Sequence, residues 1–334
     1  MNAKNDAKSS QRKLSFGELY SKYGTIVILL LVCIAGAILS PNFLTPTNLM
    51  NVLRQNTYLL VMAFGAMFVM LVGCINIAYD KELALTGCCA ANAYLISGGN
   101  LIITLLVGIA VGIILEYIYG TLVTRLELPP FIVGLAVSTV AQGIVMVITG
   151  GMVIRDVMNT SFTWFGTGHL GGKLPVPIVI TIFVMAVTWY IHKCTRYGRH
   201  AVATGGNKSA AIAAGIHADS VIRKAYIISG VTLGIASTMF MSRLGAGQPD
   251  PGAGYGFDAM TGVIIGGASL SGGSGGAFGS FVGVMIVGVL NNIMNLLGMN
   301  TAYQSVTKGI LIIIAVVVDM KTKQAIVDAN LANA

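Results

Sequence analysis

The feature that most constrains this chain is a succession of apolar runs separated by short polar links. A hydrocarbon core about 30 Å thick takes roughly 17 to 25 mostly apolar residues per helix. Runs of about that size lie at Thr25 to Ser40, Thr57 to Ile75, Leu83 to Ser97, Leu101 to Val123, Pro130 to Gly150, Leu174 to His192, Ala225 to Ser242, Asp258 to Leu270, Ala277 to Gly298 and Tyr303 to Val318, the third and eighth being the shortest. With no water to satisfy backbone groups, such runs must fold as helices. The expected fold class is therefore an all-α membrane protein of about ten transmembrane helices. Only 10% of residues are charged, against about 25% in soluble domains, which excludes a water-soluble globular enzyme. The first run follows a polar tail without a small-residue cleavage site, so it reads as a retained span rather than a signal peptide.

Charge placement gives an orientation. With a cytoplasmic amino terminus, the inner segments hold Lys4, Lys8, Arg12, Lys13, Lys22, Lys81, Arg125, Lys193, Arg196, Arg199, Lys208, Arg223, Lys224, Lys321 and Lys323, which is 15 of the 20 basic residues. Arg54, Arg155, Lys173, Arg243 and Lys308 fall outside. This positive-inside bias predicts that both termini are cytoplasmic. It also accounts for the net charge of +8 without a nucleic-acid partner, because no aromatic-basic face accompanies these residues. The expected organisation is a cytoplasmic tail over 1–22, a transmembrane domain over 23–320 with a large basic loop at 193–224, and a second tail over 321–334.

Catalytic chemistry finds no foothold. Cys33, Cys74, Cys88, Cys89 and Cys194 form neither CxxC pairs nor zinc spacing with the four His residues, so neither a metal nor a cofactor is expected. The segment Thr167 to Leu174 resembles a phosphate-binding loop but lacks its leading Gly and the Ser/Thr after Lys173. Any ATP energy must come from another chain.

At an offset of 193, Gly73-Cys74-Ile75-Asn76-Ile77-Ala78-Tyr79-Asp80 aligns with Gly266-Gly267-Ala268-Ser269-Leu270-Ser271-Gly272-Gly273, each between two apolar spans. The chain reads as duplicated halves. Gly-interrupted spans in corresponding halves are either walls of a solute path or plain tight hairpins. The candidate path residues are Asn76, Asp80, Glu116, Ser269, Ser271, Asn291 and Asn292. Glu116, mid-span, is either a proton site of a self-sufficient secondary transporter or an interior acid bonded to Ser, Thr or Tyr. Asp80-Lys81-Glu82 reads as a self-compensating cluster in water at the membrane edge. The pairs Gly108/Gly112, Gly262/Gly266 and Gly279/Gly283 read as close helix packing within the chain.

Within the basic loop, Asn207 is placed to cap a short Ala-rich helix from about Lys208 to Ala214 that Gly215 stops. The stretch Thr195 to Ile216 strongly resembles the coupling loop of ribose- and galactose-type ABC importer permeases, a branch of the branched-chain amino acid permease superfamily. Further matches run from Asn42-Phe43-Leu44-Thr45-Pro46 through Pro129-Pro130-Phe131, Ala246-Gly247-Gln248 and Gly288-Val289-Leu290-Asn291-Asn292 to Gly309 and Asp319. The resemblance implies an importer subunit in the bacterial inner membrane that translocates a small polar solute such as a monosaccharide. It implies a second permease chain, as a homodimer or heterodimer, a partner ATP-binding subunit, often a tandem ATPase, and an extracytoplasmic binding protein that delivers substrate. Gly205, Gly206, Asn207, Ala210, Ala211, Gly215 and Ile216 would then form the ATPase-coupling element, and Ala211→Arg is expected to block docking. The outer loop from Gly245 to Phe257 either receives the binding protein or is a plain turn.

One region departs from the family pattern. Where the family has Gly-Gly-Ile-Asp-Leu-Ser-x-Gly-Ser, this chain has Gly73-Cys74-Ile75-Asn76-Ile77-Ala78-Tyr79-Asp80-Lys81. Tyr119-Gly120 replaces Asn-Gly, and Glu116 stands where a small residue is common. The second repeat keeps its pattern.

Overall fold

Helix caps and small-residue contacts, more than hydropathy, set the limits of the elements. The computed structural model describes residues 16–317 apart from 159, 173, 252, 253, 301, 311, 312, 315 and 316; most of the amino-terminal tail and all of the carboxyl-terminal tail lie outside the described residues. The helices are α1 (Phe16–Leu39), α2 (Pro46–Leu71), α3 (Tyr79–Ile96), α4 (Leu101–Arg125), α5 (Pro130–Thr149), α6 (Trp164–Thr167), α7 (Val176–Cys194), α8 (Arg196–Gly206), α9 (Lys208–Ala213), α10 (Ala218–Leu244), α11 (Tyr255–Ile265) and α12 (Ala277–Leu296). A helix resumes at 302–310, within the tenth apolar run. Between α5 and α7, β1 (His169–Leu170) pairs antiparallel with β2 (Leu174–Pro175).

Six of these helices, α2, α4, α5, α7, α10 and α12, are long and apolar enough to cross a membrane. Helix α2 starts at Pro46, well before the apolar run, because Thr45 caps it by accepting from Asn48 N at 3.4 Å and proline fits the first turn. Its polar start is satisfied within the protein: Asn48 and Asn292 exchange two side-chain amide bonds, each 2.9 Å, tying α2 to α12. Asn100 caps α4 by accepting from Ile102 N at 3.0 Å and Ile103 N at 3.2 Å.

The bundle has a buried centre and an apolar coat. The most apolar stretch of α2 is 83% buried, whereas that of α4 is 22% buried. The outward faces of α4, α5 and α7 carry Leu106, Val147 and Phe183, the coat a bilayer solvates. Helices α4 and α10 approach glycine to glycine: a Cβ on Gly230 would lie 2.6 Å from Gly112 O, and one on Gly234 would lie 2.5 Å from Gly108 O. Gly266 and Gly283 do the same between α11 and α12, where a Cβ would lie 2.7 Å and 2.6 Å, respectively, from opposing backbone nitrogens. The GxxxG pairs thus serve packing within the chain.

Candidate functional site

Two features converge at one end of the bundle: the basic loop and the two Gly turns. In the loop, Thr195 caps α8 by accepting from Gly198 N at 3.3 Å. Asn207 then ends α8, donating its backbone N–H to Ala203 O at 3.1 Å, and begins α9 by accepting from Ala210 N at its side chain at 2.9 Å. Gly215 follows with φ +82°, and Ile216 N closes back on Ala211 O at 3.0 Å. The cap, short helix and stop lie where the sequence puts them. The Lys208–Asp219 ion pair, 3.0 Å and half exposed, adds at most about 1 kcal/mol.

The orientation of α9 corrects one expectation. Ala211 is 4% exposed and turned into the protein, so it is an anchor of α9 rather than part of an outward contact face. The outward face consists of Ala210, Ala213 and Ala214, with Ile212 beside them at 55% exposure. A six-residue helix carries too little periodicity to reveal which alanine is inside.

On α8 the small residues Gly198, Ala201 and Thr204 are buried, and Tyr197 packs on Phe68 of α2 with ring centroids 6.0 Å apart. This face carries α8 onto the end of α2. There the chain turns at Gly73, with φ +76°, and Gly73 N donates to Met70 O at 2.9 Å. The corresponding turn after α11 reaches the same place: Gly273 N donates to Leu71 O at 2.9 Å. The two turns that the repeat aligns therefore touch each other, against the basic loop.

From Cys74 to Ala78 the chain is irregular, and its backbone groups find side chains. Tyr119 Oη shares its one proton between Pro130 O at 2.6 Å and Ile75 O at 3.0 Å, while Ala78 N donates to Asn76 Oδ1 at 2.7 Å. Asn76 Nδ2 donates to Glu82 Oε2 at 2.8 Å and to Glu116 Oε1 at 3.0 Å. Ser229 Oγ donates to Glu116 Oε1 at 2.6 Å, leaving Tyr79 Oη to donate to Ser229 at 2.8 Å. Asn76, Glu82 and Glu116 are each at most 1% exposed. Glu116 is thus an interior acid held by Ser229 and Asn76. The sequence reading missed its companion Glu82; the i, i+6 spacing from Asn76 across the irregular lead into α3 gives no helical signal for it.

Asp80-Lys81-Glu82 is not a self-compensating cluster, since each residue finds a partner elsewhere. Asp80 accepts from Gly256 N at 2.7 Å and Gly254 N at 2.9 Å, so one carboxylate stands between the amino-terminal ends of α3 and α11, where both helix dipoles favour it. Lys81 pairs with Asp250 at 3.0 Å. A residue read as inner and one read as outer thus lie at one level. Asp258 is nearly buried and accepts from Lys308 Nζ at 2.7 Å and from half-buried Asn291 Nδ2 at 3.4 Å. Ser269 is buried and accepts from Ser271 N at 3.2 Å, with Ser271 exposed. The candidate path residues therefore form four separate groups: Asn76 with Glu116, Asp80 on α11, Ser269 with Ser271, and Asn291 by Asp258, while Asn292 braces α2.

The match of residues 48–316 to the model of the family "Branched-chain amino acid transport system / permease component" covers most of this architecture. A ribose import permease protein of Bacillus subtilis (strain 168) is 37% identical over 315 residues, spanning 94% of this chain and 97% of that protein. A ribose import permease protein of Escherichia coli (strain K12) is 35% identical over 320 residues, 94% of this chain and 98% of its own length. A D-allose transport system permease protein of the same strain is 34% identical over 312 residues, 93% and 95% of the two chains. No solved structure matches the chain significantly. With nearly end-to-end relatives and a family model covering the bundle, this multi-pass membrane chain belongs to the branched-chain amino acid transport system permease family.

Proposed function

We propose that the chain is the membrane permease of an ATP-driven importer for a monosaccharide, working in a bacterial inner membrane with ten spans and both termini cytoplasmic. The observation that carries this reading is the cap-to-stop hairpin of α8 and α9, which presents an outward face of Ala210, Ala213 and Ala214 suited to close docking in a cleft of a partner ATP-binding subunit. ATP hydrolysis resides in that partner, and an extracytoplasmic binding protein delivers the solute. The relatives named for ribose and D-allose support a pentose or hexose as cargo. The route runs between this chain and a second permease chain, along Asp80, Ser271 and Asn291, each half-buried or exposed. Asn76, Glu116, Ser269 and Asn292, all buried, stand behind it as supports. The interior bonding of Glu116 to Ser229 and Asn76 gives a proton-coupled carrier no separate support.

Proteoliposomes containing the permease, its co-purified ATPase and a binding protein should accumulate labelled ribose, allose or arabinose only when ATP is inside. Accumulation by the permease alone, abolished by Glu116→Gln, would instead establish a secondary transporter.

A further inference from the structure

Resting on the importer reading, we infer that Gly205 gears the coupling loop directly to the turns of both broken spans, so that one displacement of α8 moves both. Three stretches of backbone meet at this point with no side chain between them. A Cβ on Gly205 would collide with Leu71 O at the end of α2 and lie 2.6 Å from Gly273 N. A Cβ on Gly272 would lie 2.7 Å from both Gly205 O and Gly73 N, and one on Gly273 would lie 2.9 Å from Gly206 Cα. The hydrogen bond from Gly273 N to Leu71 O, 2.9 Å, locks the turns to each other.

Contacts of this kind transmit displacement because neither partner has a rotamer to change and close-packed interiors compress little. A side chain at any of these positions would act as a soft spacer. The drive reaches Gly205 through Asn207, which ends α8 and caps α9, leaving no loose linker between the docking face and the contact. The far end of α8 is braced as well, since a Cβ on Gly198 would lie 2.7 Å from Ile191 O. The two turns are 193 residues apart by the repeat offset, and α8, which lies between them in sequence, is in contact with both.

A glycine remote from the loop supplies an internal control: a Cβ on Gly143 of α5 meets no atom within 4 Å. In the assembled importer, Gly205→Ala should leave ATP hydrolysis in place but lower sugar moved per ATP about tenfold or more, the loss expected when a typical coupling free energy disappears. Gly143→Ala should transport as wild type. Equal transport by Gly205→Ala and wild type would overturn the gearing while leaving the importer reading intact; a wild-type chain that recruits no ATPase would overturn the importer reading itself. A measurement that leaves Gly205 in place guards against a variant that fails to fold. Spin labels at Ser209→Cys and Ser271→Cys, both exposed positions, should keep one separation in nucleotide-free and ATP-trapped complexes. A change of more than about 5 Å, one helical turn, would show that loop and turn move independently and would overturn the proposal.

Discussion

The two turns that the internal repeat aligns are held in opposite ways. The turn after α2 is fixed by side chains from elsewhere: Tyr119 of α4 satisfies Ile75 O, and Asn76 is clamped between Glu82 of α3 and Glu116 of α4. Apart from the Gly273 N–Leu71 O bond, the turn after α11 is fixed within itself: Ser269 N donates to Ser274 O at 3.1 Å, Gly272 N to Ser269 O at 3.0 Å, and Ser271 N to Ser269 Oγ at 3.2 Å. One half of the duplication relies on long-range buried polar contacts, the other on local ones. Buried networks are costly when partly satisfied, so substitutions should hurt the first turn more. Asn76, Glu116 and Tyr119 all fall at that first turn: Asn76 bonds Glu116, and Tyr119 bonds the neighbouring Ile75 O.

The largest effect expected is from Asn76→Asp. It removes the donor amide between Glu82 and Glu116 and puts a third carboxyl between them, with an expected destabilisation of about 3 kcal/mol or more. Thermal unfolding in detergent checks this, and Glu116→Gln added to Asn76→Asp should recover most of the loss by restoring a donor. Failure of the double variant to recover would break the view that the residues form one unit. Next comes Tyr119→Phe, which strips Pro130 O of its hydroxyl donor and leaves Ile75 O the 3.4 Å bond from Tyr226, and should lower stability by about 1 to 3 kcal/mol. The smallest is Ser269→Ala in the second turn. Only the long bond from Ser271 N is lost there, and the backbone bonds remain, so a drop of about 1 kcal/mol or less is expected. A Ser269→Ala loss larger than that of Tyr119→Phe would reverse the comparison.

Much of the fold was legible because it is written locally. Apolar runs located helices, six of them long and apolar enough to cross a membrane, and Asn207 and Gly215 marked the limits of the short loop helix through capping and a left-handed stop. What was not legible depends on chain segments far apart in sequence. Glu82 looked like an edge residue because burial of a charge next to Asp80 and Lys81 makes sense only once Asn76, Gly254, Gly256 and Asp250 are in place. The start of α2 at Pro46 was hidden by polar residues whose partner, Asn292, lies on α12. At the site, the loop and turns were visible as motifs, but their mutual contact was not: glycine advertises that a backbone can come close, not which backbone does.

The central claim is that the outward face of α9 docks an ATPase. The most direct test is affinity capture of the tagged chain from its native membrane in mild detergent, with ATP hydrolysis scored in the eluate for wild type and for Ala213→Arg, an exposed position. Hydrolysis that co-purifies with wild type and falls about tenfold or more in the variant, as loss of a small-residue contact to a bulky charge predicts, is the expected result. Undiminished hydrolysis with Ala213→Arg, or none with wild type, would contradict the account.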